Sequence, residues 1–107
     1  MSDAVSYRIC SLDELTDESV RQFTVADHEV AVVRLGDEVF ALADHCSHQD
    51  VALSDGEVDA DMNALECPKH GGSFCLSTGQ PLSLPPTQPV AVYEVRIEAG
   101  EVSVVIA

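Results

Sequence analysis

Two short segments limit what this chain can fold into more than anything else in it: Cys46-Ser47-His48 and Cys67-Pro68-Lys69-His70, separated by the eighteen residues from Gln49 to Glu66. Each offers one thiol and one imidazole, so a fold that brings the segments together builds a two-Cys, two-His donor set from two loops. Two kinds of metal centre match such a set. A mononuclear zinc site is one, and its common form pairs cysteine with cysteine and histidine with histidine. A [2Fe-2S] cluster is the other, with both cysteines on one iron and both histidines on the second, so that each loop serves both irons. The mixed pairing in this sequence favours the cluster. Gly71-Gly72, directly after the second pair, argues the same way, because glycines let backbone N–H groups approach cluster sulfurs closely.

A chain of 107 residues has room for a single domain, 1–107, and a domain of this size hides only about 60 to 70% of its unfolded surface. A metal that binds the folded chain alone would reinforce so modest a core. Five basic against nineteen acidic residues leave a formal charge of −14. Nucleic acid is thereby excluded as a partner, since no basic patch can displace counterions from phosphates. The charge serves solubility, or steers encounters with a basic protein face most strongly at low salt. Met1 to Ser11 holds a single basic residue and no apolar export core, and no run approaches the 18 apolar residues of a membrane span. The sequence therefore predicts a cytoplasmic protein without membrane contact. In that compartment four cysteines are metal ligands or buried thiols before they are disulfides.

Short runs rich in β-branched and aromatic residues recur at Val5 to Cys10, Glu29 to Leu35, Glu38 to Leu42, Val90 to Ile97 and Val102 to Ile106. Their length and weak helical period predict strands and an all-β fold. Gly36-Asp37 suits a type II′ hairpin turn, with glycine first, and Ala99-Gly100 plays a similar part between the last two runs. The segment Asp13 to Val20 is the one helix candidate, with Ser11 available as a cap. Between residues 44 and 89, Gly, Pro, Ser and Asp interrupt the apolar pattern, and both Cys/His pairs fall there. This stretch reads as a cluster-binding insertion within the β domain.

Other tempting residues have plainer readings. Cys10 lies in a predicted strand and Cys75 near the second pair, and both read as buried packing once four ligands are in place. His45 adjoins Cys46, but neighbouring side chains diverge, so a surface role fits it. His28 finds no partner in sequence. With only His28 and His45 left over, a second site of two histidines and a carboxylate for oxygen activation cannot be built. No G-x-G-x-x-G follows a strand, so no nicotinamide or flavin domain is indicated. Catalysis belongs to other proteins, and the chain itself is not an enzyme.

Beyond the two pairs, the sequence contains Leu53-Ser54-Asp55-Gly56, Gly71-Gly72-Ser73-Phe74, Ser77-Thr78-Gly79 and Leu84-Pro85-Pro86. On these motifs it resembles the Rieske ferredoxins, the small electron carriers of aromatic-ring dioxygenase systems, over nearly its whole length. The resemblance implies an antiparallel Rieske-type β sandwich with a loop-rich cluster-binding subdomain at one tip. It implies one [2Fe-2S] cluster held by Cys46, His48, Cys67 and His70. It also implies a carrier that takes single electrons from a flavin-containing ferredoxin reductase and delivers them to a terminal non-haem iron oxygenase, through basic docking faces on both partners.

In the respiratory members of the wider Rieske class each cluster loop carries an additional cysteine, and the two form a disulfide. Val51 and Lys69 stand at those places here. Gly72 and Phe74 stand where those proteins supply serine and tyrosine hydroxyls to the cluster sulfurs. Lacking both donors, the reduced cluster is less stabilised, and the resemblance implies a reduction potential of about −150 mV, the low end of the Rieske range. It further suggests His48 and His70 as the electron exit, Pro68 and the Leu84 to Pro86 segment as a shield, and Lys69 as a docking residue. Two other readings remain: a Rieske accessory protein of iron-sulfur assembly or of another redox complex, and a zinc-stabilised interaction module.

Overall fold

The computed structural model describes residues 4–45, 52–68, 72–82 and 89–106. Among these residues every strand pairing is antiparallel and there is no α-helix. A six-stranded sheet is formed by β1 (Val5–Ser11), β2 (Ser19–Val25), β3 (His28–Leu35), β4 (Glu38–Ala43), β8 (Val92–Glu98) and β9 (Glu101–Ile106), in the order β1-β9-β8-β4-β3-β2. A smaller sheet, β5 (Glu57–Asp59), β6 (Ala64–Glu66) and β7 (Ser73–Cys75), runs in the order of the sequence.

Strand β3 shows how the two are joined. Four successive residues, Val30 to Val33, are buried, and side chains of a strand alternate between its faces. Val30 and Val32 therefore enter one core, with Cys10, Val25, Val39, Val102 and Val104. Ala31 and Val33 enter a second, with Leu42, Leu53, Leu65, Cys67, Phe74 and Leu76. The second core lies between the large sheet and the small one. Each fully buried Leu or Phe in it contributes roughly 2 kcal/mol of hydrophobic stabilisation.

The five strands expected from the sequence are present, with ends moved by one or two residues. Leu35 pairs with Glu38 across Gly36-Asp37, and of the two turn residues only Gly36 has positive φ (62°), as a type II′ turn requires. At Ala99-Gly100 both residues have positive φ (50° and 77°), so this turn is of the I′ kind instead.

The helix expected over Asp13 to Val20 does not form. One 3₁₀ turn, Leu12–Glu14, is held by the Glu14 carboxylate, which accepts hydrogen bonds from the N–H (2.7 Å) and hydroxyl (3.1 Å) of Ser11. Those bonds hold Glu14 below the usual carboxylate pKa. Leu15 is then extended, and the chain turns at Glu18 with φ 55°. Eight residues are too few to sustain a helix without tertiary support. Pairing of Ser19 with Arg34 and Val20 with Val33 draws the segment into β2 instead.

Candidate metal centre

Of the four proposed ligands, Cys46, His48 and His70 lie outside the described residues, and so do Val51, Lys69 and Leu84 to Pro86. Cys67 is described, and its side chain is 2% exposed. It directly follows β6, in which Glu66 pairs with Ser73 of β7. The Cys67 N–H donates to the carbonyl of Gly72 (2.6 Å), closing the hairpin connection that carries His70 in sequence.

The other candidate loop leaves β4 after Ala43 and ends at the 3₁₀ turn Leu53–Asp55. Its approaches and those of the hairpin meet in one place. Leu42 before the first loop, Leu53 after it, Leu65 and Cys67 at the start of the second and Phe74 after it all belong to the same buried cluster. The two Cys/His segments are thus rooted in a shared apolar base with a buried thiol in it. That arrangement fits a two-loop, two-Cys, two-His donor set in which a dry setting protects the cysteine ligands.

Two residues, Gly56 and Asp44, act in building this base. Gly56 has φ −88°, which any residue adopts, yet a Cβ placed on it would lie 1.8 Å from the carbonyl oxygen of Glu66. Glycine is there for space, and it lets β5 dock beside the strand that leads to Cys67. Asp44 is buried at 3% exposure, the one buried charged side chain among the described residues. Its carboxylate accepts hydrogen bonds from the backbone N–H of Ser54 (2.6 Å), the Ser54 hydroxyl (2.6 Å) and the Gln22 amide (2.5 Å). Sequence reading passed over Asp44, which nothing in the sequence sets apart from the other acidic residues.

Cys10 is buried as expected, and burial pushes its thiol pKa up. Cys75 differs from expectation: it is half-buried, on the face of β7 opposite Phe74, and a hydrogen bond with the Thr78 side chain holds its thiol below the ordinary pKa. His45 is exposed. His28, also exposed, has its ring edge-on to Tyr93 at 6.1 Å.

Carboxylates gather beside the second loop. A shallow cleft is lined by Glu18, Glu57, Asp59, Asp61 and Glu66, and an adjoining one by Asp55, Glu57, Glu66 and Pro68, next to Cys67. The arginines are engaged elsewhere: Arg8 with Glu101 and Arg96 with Glu94 (each 2.8 Å), Arg34 with the carbonyls of Leu12, Leu15 and Gly36, and Arg21 over the Phe23 ring.

Residues 5–94 match the Rieske [2Fe-2S] domain. The chain is 39% identical to the ferredoxin CarAc of Metapseudomonas resinovorans over 98 residues, covering 91% of this chain and 90% of that one. Among solved structures, the ferredoxin of carbazole 1,9a-dioxygenase from Nocardioides aromaticivorans IC177 superposes with a TM-score of 0.91 at 38% identity, covering 94% of this chain and 96% of that one. A chain in a complex of reduced oxygenase and oxidised ferredoxin in carbazole 1,9a-dioxygenase superposes at 0.85 with 38% identity, covering 94% and 92%. The chain belongs to the Rieske [2Fe-2S] domain family. Its cofactor is one [2Fe-2S] cluster, and its full-length likeness is to ferredoxin components of dioxygenase systems.

Phe74 is fully buried in the same cluster as Cys67, so Phe74→Tyr is expected to present a hydroxyl to a cysteine sulfur and raise the reduction potential. A rise on the order of 60 mV corresponds to ~1.4 kcal/mol of stronger hydrogen bonding to the reduced state. Protein-film voltammetry measures it. An unchanged potential would show that the hydroxyl does not reach the sulfur.

Proposed function

We propose that this chain is the one-electron carrier between a flavin-dependent ferredoxin reductase and a terminal non-haem iron oxygenase, and that Cys46, His48, Cys67 and His70 hold its cluster. The observation that carries this reading is the meeting of the described residues that flank both Cys/His loops on one buried base containing Cys67, in a chain that aligns over nine-tenths of its length with a related ferredoxin. When bound, the cluster takes up and releases one electron. Residues 44–89 act as the cluster-binding part of a single domain, 1–107.

Leu53, Leu65 and Phe74 exclude water from the root of the site. Gly72 and Phe74 offer no side-chain donor to a sulfur, which supports a low potential. The oxygenase partner is supported by the related ferredoxin found in complex with one. The carboxylates beside Pro68 favour a basic face on each partner. Among the described residues no helix is long and apolar enough to cross a membrane, and we place the protein in the cytoplasm with its reductase.

Metal and sulfide analysis, with an EPR spectrum after dithionite reduction, tests the centre. Two irons and two sulfides are expected, with an average g value below that of all-cysteine clusters; one zinc and no signal would overturn the carrier. Reduction by a dioxygenase ferredoxin reductase, followed in stopped flow, tests the role. Its second-order rate is expected to fall about tenfold from low to high salt. A salt-independent rate would remove the basic docking face.

A further inference from the structure

Asp44 sits where β4 gives way to the loop that carries Cys46 and His48 in sequence. Its own N–H donates to the carbonyl of Glu29 (3.0 Å), which locks this point to β3. Its Oδ1 accepts the N–H of Ser54, and its Oδ2 accepts the Ser54 hydroxyl and the Gln22 amide. Ser54 directly follows Leu53, whose side chain is fully buried in the second core. The nine residues 45–53 are therefore closed at both ends by one side chain. Three donors thus converge on the two oxygens of one buried carboxyl group. Burying such a group is costly unless its hydrogen bonds are complete. A loop that needed only an anchor would be served by Leu53 alone.

We propose that Asp44 is a positioning residue for the cluster: by clasping Ser54 it sets the span of the first ligand loop and so the geometry in which Cys46 and His48 are held. The inference rests on the ligand assignment above. Released from the clasp, the loop regains conformational freedom and its two ligands lose preorganisation. The clasp acts through shape and not through charge. Asparagine at 44 still accepts from the Ser54 N–H at Oδ1, while the Gln22 amide and the Ser54 hydroxyl turn to accept from its new NH2.

Four variants of the holoprotein separate these effects: Asp44→Ala, Ser54→Ala, Asp44→Asn and, as a control in the other core, Val30→Ala. The readouts are EPR g values, the rate of iron release to a chelator and the thermal midpoint. Asp44→Ala is expected to shift and broaden the g values and speed iron release about tenfold, the scale set by losing the hydrogen bonds to Ser54 and Gln22. Ser54→Ala shifts both in the same direction by less, and it carries the test if Asp44→Ala does not fold. Asp44→Asn stays close to wild type. Val30→Ala lowers the midpoint and leaves the g values alone. The proposal is overturned if the alanine variants that fold keep wild-type g values and iron release, if Asp44→Asn shifts as far as they do, or if Val30→Ala shifts the spectrum for an equal loss of midpoint. Cys46→Ala with full iron content would instead refute the ligand assignment, an outcome none of the Asp44 variants can imitate.

Discussion

Replacing Gly56 with alanine is expected to disable the metal-binding half of the molecule. The new Cβ would lie 1.8 Å from the carbonyl oxygen of Glu66 and 3.2 Å from that of Leu53. Neither atom is the end of a flexible side chain. Glu66 is paired with Glu57 on one side and Ser73 on the other, and the residue after it is Cys67. Relief of the clash must therefore part β5 from β6 or move the strand that leads to Cys67. A cost above about 3 kcal/mol follows, which for a domain of this size lowers the thermal midpoint on the order of 15 °C. Thermal unfolding followed by circular dichroism, with iron analysis of the purified variant, measures both consequences. A variant with the wild-type midpoint and full iron would show that the close approach of Gly56 to Glu66 is not kept in solution.

Cys67→Ala is expected to abolish the cluster, with iron falling below roughly a tenth of the wild-type content. Cys10→Ala is the matched control, because both thiols are buried, Cys10 at 3% and Cys67 at 2% exposure, but in different cores. Each substitution removes one sulfur from an apolar setting, at a cost on the order of 1 kcal/mol. Only the Cys67 variant also loses the free energy by which a metal bound to the folded state alone stabilises it. The difference between the two thermal midpoints therefore reads the contribution of the cluster to folding. Full iron in Cys67→Ala would remove this residue from the ligand set, and equal midpoints would mean that the cluster adds nothing to stability.

Much of the frame was legible because its determinants are local. Runs such as Glu29 to Leu35 and Val102 to Ile106 carry strand-forming residues in sufficient length, and Gly36 marks a turn that needs positive φ at its first position. The hairpin joining β2 to β3 escaped notice for the converse reason. Ala26 and Asp27 both adopt positive φ (47° and 68°), and alanine does not announce such a turn. Strand β2 itself is fixed by its register with β3, which no window of Asp13 to Val25 contains. The small sheet was read as loop because its strands have three residues each, too few to display an alternation.

The cofactor was legible in the sequence, where the mixed Cys/His pairs favoured a [2Fe-2S] cluster over zinc and the family match then gave the cluster. Two thiols and two imidazoles in mixed pairs make a candidate donor set whatever the fold around them, since coordination depends first on which atoms are present. The surplus of fourteen negative charges likewise limits the partners without reference to any structure. What tertiary structure decided is how that donor set is supported. Leu53 and Gly56 stand in one motif, yet one fills the second core and the other makes room for the carbonyl of a strand ten residues away. Asp44 looks like any of the nineteen acidic residues until folding buries it against Ser54 and Gln22. Cys10 and Cys75 look alike in sequence, and alternation within their strands leaves one buried and the other half-exposed. Burial, close approach and shared hydrogen bonds are relations between residues distant along the chain, and they come into being only when the sheets have packed.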